Sequence, residues 1–219
     1  MTVIFPKWTN KLPALLGLGV VALGLSVTFV VWFWFSPRHL EVGYQPLQPV
    51  LYSHKLHAGQ LGMDCRYCHR LVEEGPHATV PDTATCMGCH ASNKVKGDSP
   101  KLALIREAFG DGKVGKGAVP WVKVHMLPDY AYFSHAVHVS VAGVGCATCH
   151  GRIDQMEIVR QVEPLSMGWC LECHRAPAKY LRPLNKVTDM NFVPNEAEGA
   201  KFVRERNLHP PTQCSACHR

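Results

Sequence analysis

No cysteine of this 219-residue chain stands outside a Cys-x-x-Cys pair. The ten fall as Cys65/Cys68, Cys86/Cys89, Cys146/Cys149, Cys170/Cys173 and Cys214/Cys217, so none is left over for a separate structural disulfide. Residues 12 to 36, LPALLGLGVVALGLSVTFVVWFWFS, lack any charge. No basic run interleaved with aromatics occurs, which argues against nucleic-acid binding despite a formal net charge of +6. Helical or strand periodicity is scarce beyond residue 41, so the chain has little with which to build an ordinary core.

What is present is histidine, thirteen in all. One follows each cysteine pair directly: His69, His90, His150, His174 and His218. Cys-x-x-Cys-His is the attachment signature of c-type haem. Two thiols add to the two vinyl groups on one porphyrin edge, and the adjacent histidine binds iron as proximal ligand. Zinc sites and disulfides are the competing readings, but zinc does not require histidine after every second cysteine. Five haems would bring up to roughly ten propionate charges, and the basic excess reads as their compensation.

The uncharged segment is long enough to cross a bilayer: as a helix it spans about 36 Å, against an apolar core of about 30 Å. Trp8 flanks one end, and Trp32 and Trp34 the other, where amphipathic rings favour the interface. A cleaved secretory signal is the alternative, but the run is too long and no small-x-small site follows it. Residues 1–40 are therefore expected to form a membrane anchor, transmembrane over about 12–36. Lys7 and Lys11 before it, and Arg38 after it, orient the amino terminus to the cytoplasm. The remainder would then lie in the bacterial periplasm, where covalent haem is attached.

An internal repeat organises the rest. YSHKLHAGQLGMDCRYCH (52 to 69) returns without a gap as FSHAVHVSVAGVGCATCH (133 to 150). It matches Ser53 to Ser134, His54 to His135, His57 to His138 and Gly62 to Gly143, besides the haem motif itself. A further motif follows each copy, and the second copy adds a fifth at Cys214. This predicts a two-haem module (41–95), a connector (96–128) and a three-haem module (129–219). GYQPLQP reads as a linker and FGDGKVGKGAVP as irregular. SPKLALIREAF (99 to 109) reads as a short amphipathic helix capped by Ser99. The expected fold is mainly α and irregular: one transmembrane helix plus a haem-packed cytochrome c domain of short helices and long loops, with almost no sheet.

Five irons need five further ligands, and eight histidines lie outside the motifs. The two His-x-x-His pairs, His54/His57 and His135/His138, are the natural source of four. Histidines three apart share a helix face at different heights, and so reach different rings. His39 and His77 read as solvent or propionate contacts.

This arrangement resembles the small class III multihaem cytochromes. The resemblance implies His54 for the haem at Cys65, His57 for Cys86, His135 for Cys146 and His138 for Cys170. For the fifth haem, the class III pattern draws a ligand from the segment before the second motif of a three-haem module. Here that segment is EPLSMGWC, which offers Met167; Met156, His125 and His209 are the alternatives. A longer pattern narrows the likeness: CRYCH, CMGCH, PWVKVHMLPDYAYFSHAVH, CATCHGRIDQM and PLSMGWCLECHR resemble the pentahaem cytochrome subunit of alternative complex III, a bacterial quinol:electron-acceptor oxidoreductase. That resemblance implies five covalently bound haems c. It also implies an electron-transfer subunit that is not itself the enzyme. Its partners would be membrane-integral quinol-oxidising subunits, an iron–sulfur subunit, a monohaem cytochrome c subunit and a soluble acceptor. Two rival readings are a haem enzyme with an open iron, such as a nitrite reductase, and a free-standing anchored quinol dehydrogenase.

Overall fold

An uninterrupted apolar run with no ionisable side chain becomes the one long helix, α1 (Leu12–Trp34), in the computed structural model, which describes residues 5–36, 41–110 and 117–218. A 3-10 turn over Lys7–Lys11 leads into it. Pro13 stands in its first turn, where the missing N–H costs no helix bond. Thr28, a rare polar group on α1, returns its hydroxyl to the Gly24 carbonyl at 2.9 Å. None of the helix is buried against the rest of the chain, and it is long and apolar enough to cross a membrane. Arg38, His39 and residues 111–116 of the glycine-rich connector lie outside the described residues.

Among the described residues seven short α-helices follow: α2 (Cys65–Cys68), α3 (Thr83–His90), α4 (Ala103–Phe109), α5 (Cys146–His150), α6 (Met167–Arg175), α7 (Glu196–Glu205) and α8 (Cys214–Cys217). Among the described residues there is no strand. The β structure is two isolated bridges, Ala131 to His218 and Val144 to Leu181. The fold class expected from the sequence is thus the one observed. Helices end at the haem motif in α3 and α6, but α2, α5 and α8 begin on its first cysteine. The residue before each of those cysteines is extended, so the helix starts there.

Side-chain caps set several of these starts. The Asp64 carboxylate accepts from the Arg66 N–H, Asp82 from Thr85, Ser166 from Trp169 and Asn195 from Ala197. The expected cap at Ser99 is not made: a 3-10 turn over Pro100–Leu102 intervenes, and the Ser99 side chain makes no cap bond. Its carbonyl instead accepts from the Arg106 guanidinium at 3.0 Å. The apolar face of that segment is real, because Leu102, Ile105, Ala108 and Phe109 all join one cluster.

The second histidine of each His-x-x-His pair, His57 and His138, lies on a wide, π-helical turn, Lys55–Gln60 and Val137–Ala142, and the first stands just before it. Each turn is closed by a glycine in the left-handed region, Gly62 at φ 67° and Gly143 at φ 77°, a conformation that costs a side-chain-bearing residue about 1–2 kcal/mol. The repeated glycine of the sequence is therefore a repeated backbone requirement.

Only nine apolar side chains among the described residues are buried. Val50, Met87, Ile105 and Val119 form one cluster with Trp121, joining α3, α4 and the connector. Val72, Val139 and Val187 form a second, which spans the two copies of the repeat. Polar links cross the same boundary. The His135 and Ala136 N–H groups donate to the Pro76 and Gly75 carbonyls, and the Thr188 hydroxyl donates to Asp64 at 2.9 Å. The segment GYQP is stitched to the second copy as well: Gly43 N–H bonds the Gln161 carbonyl, and Gln161 N–H bonds that of Tyr44.

Candidate haem-binding sites

Each cysteine pair is presented by one turn of helix. A spacing of three residues puts both sulfurs on one side of that turn. None of the ten cysteines is disulfide-bonded. Among the described residues no three His, Cys, Asp or Glu side chains converge as donors for a bare metal ion.

The histidines come together in pairs across open space. His54 faces His69 with ring centroids 6.5 Å apart and planes 2° from parallel. His135 faces His150 at 6.4 Å and 7°. His57 faces His90 at 6.2 Å and 69°, and His138 faces His174 at 6.1 Å and 34°. A metal–nitrogen bond of about 2 Å on each side, plus half a ring width twice, gives about 6 Å between centroids. The four pairs therefore have the spacing of two imidazoles sharing one iron.

Their Nδ1 atoms are held from behind. His69 donates to the Thr79 carbonyl at 2.6 Å, His90 to Val95 at 2.7 Å, and His174 to Pro211 at 2.7 Å. On the opposite side His57 donates to Ser53 at 2.9 Å, His135 to Pro76 at 2.8 Å and His138 to Ser134 at 2.8 Å. A proton kept on Nδ1 leaves the Nε2 lone pair for the metal and fixes the ring orientation. Burial pushes His150 down to about 3 and His54 down to about 4, with neighbouring histidines adding to both shifts. Both rings are thus neutral, as ligation requires.

Two further positions of the site carry a signal in the sequence: the aromatic residue two before each His-x-x-His pair, Tyr52 and Phe133. Tyr52 stacks on His57 (4.4 Å, 22°) and meets His54 edge-on (4.8 Å, 84°). Phe133 repeats this on His138 (4.5 Å, 28°) and His135 (4.8 Å, 87°). One ring thus sets the angle between two histidines that look in different directions. The Tyr52 hydroxyl also contacts the Cys68 sulfur, and burial raises its pKa so that the phenol stays protonated.

The fifth motif differs. His218 Nδ1 donates to the Tyr130 carbonyl at 3.2 Å, and its ring contact among the described residues is with the Tyr130 ring at 5.7 Å. Met167 opens α6 and is 65% exposed. Met156 lends its carbonyl to the Lys55 N–H, at the root of the first π-turn. His209 is exposed and bonds the Asn207 side chain at 2.9 Å, and His77 is exposed. His125 lies behind His150, with its Nε2 3.3 Å from the His150 Nδ1.

The motifs do not follow one another in space as they do along the chain. Cys68 neighbours Cys86 and Cys89. The Cys65 and Cys146 thiols are in hydrogen-bond contact. Cys149 neighbours Cys170 and Cys173, and Cys170 neighbours Cys217. The spatial order is second, first, third, fourth, fifth, and the two copies of the repeat meet at their leading motifs.

These features suit haem. The ring pairs have the iron spacing, and all ten cysteines are free thiols. The sparse buried core leaves apolar side chains such as Leu56 and Val137 uncovered, as surfaces awaiting a porphyrin face would be. Comparison with known proteins agrees. The family profile "Cytochrome c7 and related cytochrome c" matches residues 131–219. The chain is also 31% identical over 197 residues to the menaquinone reductase, multihaem cytochrome c subunit, of Nitratidesulfovibrio vulgaris, an alignment covering 90% of this chain and 78% of that one. Because that second match runs through both copies of the repeat, it settles the lineage of the whole chain, which belongs to the multihaem cytochrome c family.

Proposed function

We propose that the chain is a membrane-anchored, periplasmic pentahaem electron relay within a quinone-linked respiratory or photosynthetic complex of the alternative complex III type. Membership of the cytochrome c family carries covalently bound haem c; the count of five rests on the five Cys-x-x-Cys-His motifs. The observation that carries the reading is the set of four histidine ring pairs at 6.1 to 6.5 Å. Paired imidazoles would leave no position open for a substrate on those four irons.

On this reading the ten cysteines form the thioethers. His69, His90, His150, His174 and His218 are the proximal ligands, and His54, His57, His135 and His138 the distal ones. Met167 is the fifth distal ligand: it stands one helical turn before Cys170, whose thiol neighbours Cys217 of the fifth motif. When bound, haem supplies a one-electron ferric–ferrous couple whose potential follows ligand type and burial. The chain's own residues attach, orient and shield it. The Nδ1–H donors hold the histidine rings other than His54 in one tautomer, and Tyr52 and Phe133 fix the angle between neighbouring ligands. Quinol chemistry is assigned to other subunits of the complex, as the subunit name of the relative suggests. The partners are membrane-integral quinol-oxidising, iron–sulfur and monohaem cytochrome subunits and a soluble acceptor. A two-haem module (41–95) and a three-haem module (129–219) joined by the connector make up the relay.

The test is purification from mild detergent. The expected result is co-purification with those subunits, five haems by pyridine haemochrome, and no spectral change when carbon monoxide is added to the reduced protein. A lone chain that oxidises quinol by itself would sink the proposal. The name of the Nitratidesulfovibrio relative favours a second reading, in which the host complex runs towards menaquinone reduction. Assaying the purified complex with menaquinol plus an oxidised acceptor, and with menaquinone plus a reduced donor, separates the two directions.

A further inference from the structure

We propose that His125 is a positioning residue that lowers the reduction potential of the haem held by Cys146, Cys149 and His150. This rests on the relay reading of that site.

Position by position, the two copies of the repeat are alike in sequence, and His150 occupies the place that His69 has in the first copy. Their hydrogen bonds differ. His69 Nδ1 donates to a backbone carbonyl, that of Thr79, at 2.6 Å. His150 Nδ1 has the His125 Nε2 as its partner at 3.3 Å, with the rings 84° apart and their centroids at 4.4 Å. His90, His174 and His218 also donate to backbone carbonyls. Among the described proximal histidines, His150 alone has a side-chain nitrogen as acceptor.

The arrangement is built rather than incidental. The connector carrying His125 is pinned on the amino-terminal side by Val119, buried in the cluster with Val50, Met87 and Ile105. It is pinned again at Val122, whose N–H and carbonyl both bond the Gln48 side chain, at 3.0 and 2.9 Å. A segment anchored on the first copy of the repeat thereby delivers a ring to the proximal ligand of the second.

The physical consequence follows from ligand basicity. An acceptor behind Nδ1–H shifts electron density towards the metal-binding nitrogen and favours the ferric ion. An imidazole nitrogen is a more basic acceptor than an amide oxygen. A side chain, unlike a backbone carbonyl, can also be exchanged without moving the chain, so this haem's potential is adjustable by substitution at one position.

The test uses the full-length protein in detergent, in wild-type form and as His125→Leu and His125→Gln. The readouts are a potentiometric titration that resolves the individual haems and the low-temperature EPR spectrum. In H125L one of the five transitions should move to higher potential, four should stay, and every haem should remain low-spin. H125Q, which restores an oxygen acceptor, should move the same transition by less, and it carries the test alone should H125L lose haem. If no transition moves, or if a high-spin ferric signal shows that His125 is itself an iron ligand, the proposal is overturned. The wild-type spectrum separates this from failure of the relay reading: fewer than five haems, or high-spin haems before any substitution, would count against the relay and not against His125.

Discussion

Histidines three apart on an α-helix would share one face, but His54 and His57 each meet a different partner ring. The wide turn and the Tyr52 ring wedged against both are what separate them. His57→Ala should leave His90 without an opposite ring, so that one haem in five becomes high-spin and binds carbon monoxide on reduction, read by EPR and by the Soret difference spectrum. Met167→Leu should abolish any methionine-to-iron charge-transfer band in the near-infrared magnetic circular dichroism and lower the potential of one haem. If the band is missing from the wild type, Met167 is not a ligand. Asp64 sets the acid limit at the junction of the two copies. Its hydrogen bonds with Arg66, and that from Thr188, hold its carboxyl down to about 2. The unfolded value is near 3.9, so the folded state favours the ionised form. The resulting stability is present above about pH 4 and is lost as pH falls towards 2. After discounting for solvent screening it is worth about 1 kcal/mol. Asp64→Asn should therefore destabilise the protein at pH 6 but much less at pH 2.5, by guanidinium unfolding followed in the Soret band.

The π-turn with its closing glycine is the repeated unit at the scale of elements, and its two copies are not equally tolerant. At Gly62 an added Cβ meets nothing within 4 Å, so only the left-handed backbone opposes substitution. At Gly143 it would run into the Arg182 carbonyl and the Arg206 guanidinium as well. Gly62→Ala should cost about 1 kcal/mol. Gly143→Ala should cost clearly more and loosen the Arg206 bond to the Ala142 carbonyl. Parallel denaturant titrations of the two variants compare them directly. The helices themselves are too short to persist alone. Caps such as Asp82 and Asn195 help start them, and on the relay reading the attached haems would keep them in place.

As a whole molecule the chain has too few buried side chains to repay the entropy of ordering its long loops. Made without haem attachment, it should lack a cooperative unfolding transition and be degraded rapidly by limited proteolysis, whereas the haem-loaded protein resists. The spatial order of the motifs puts the Cys86/Cys89 and Cys214/Cys217 sites at the two ends of a file, with the two copies of the repeat joined in the middle at Cys65 and Cys146. On the proposed relay reading, electrons would enter and leave at those ends.

The sequence by itself determined the fold class, the apolar span and the kind of chemistry, because these depend on residue type at short spacing. Cys-x-x-Cys-His is a local motif, and an uncharged run of twenty-odd residues behaves alike in any context. The repeat, too, was legible with its paired histidines and its glycine. Tertiary structure decided what spacing does not encode. The file runs second, first, third, fourth, fifth because the second copy docks Val139 and Val187 against Val72 of the first. His125, a candidate iron ligand by residue type alone, stands behind His150 because Val119 and Gln48 hold the connector there. Which ring faces which is set by long-range packing and hydrogen bonds between segments dozens of residues apart, and no local pattern records it.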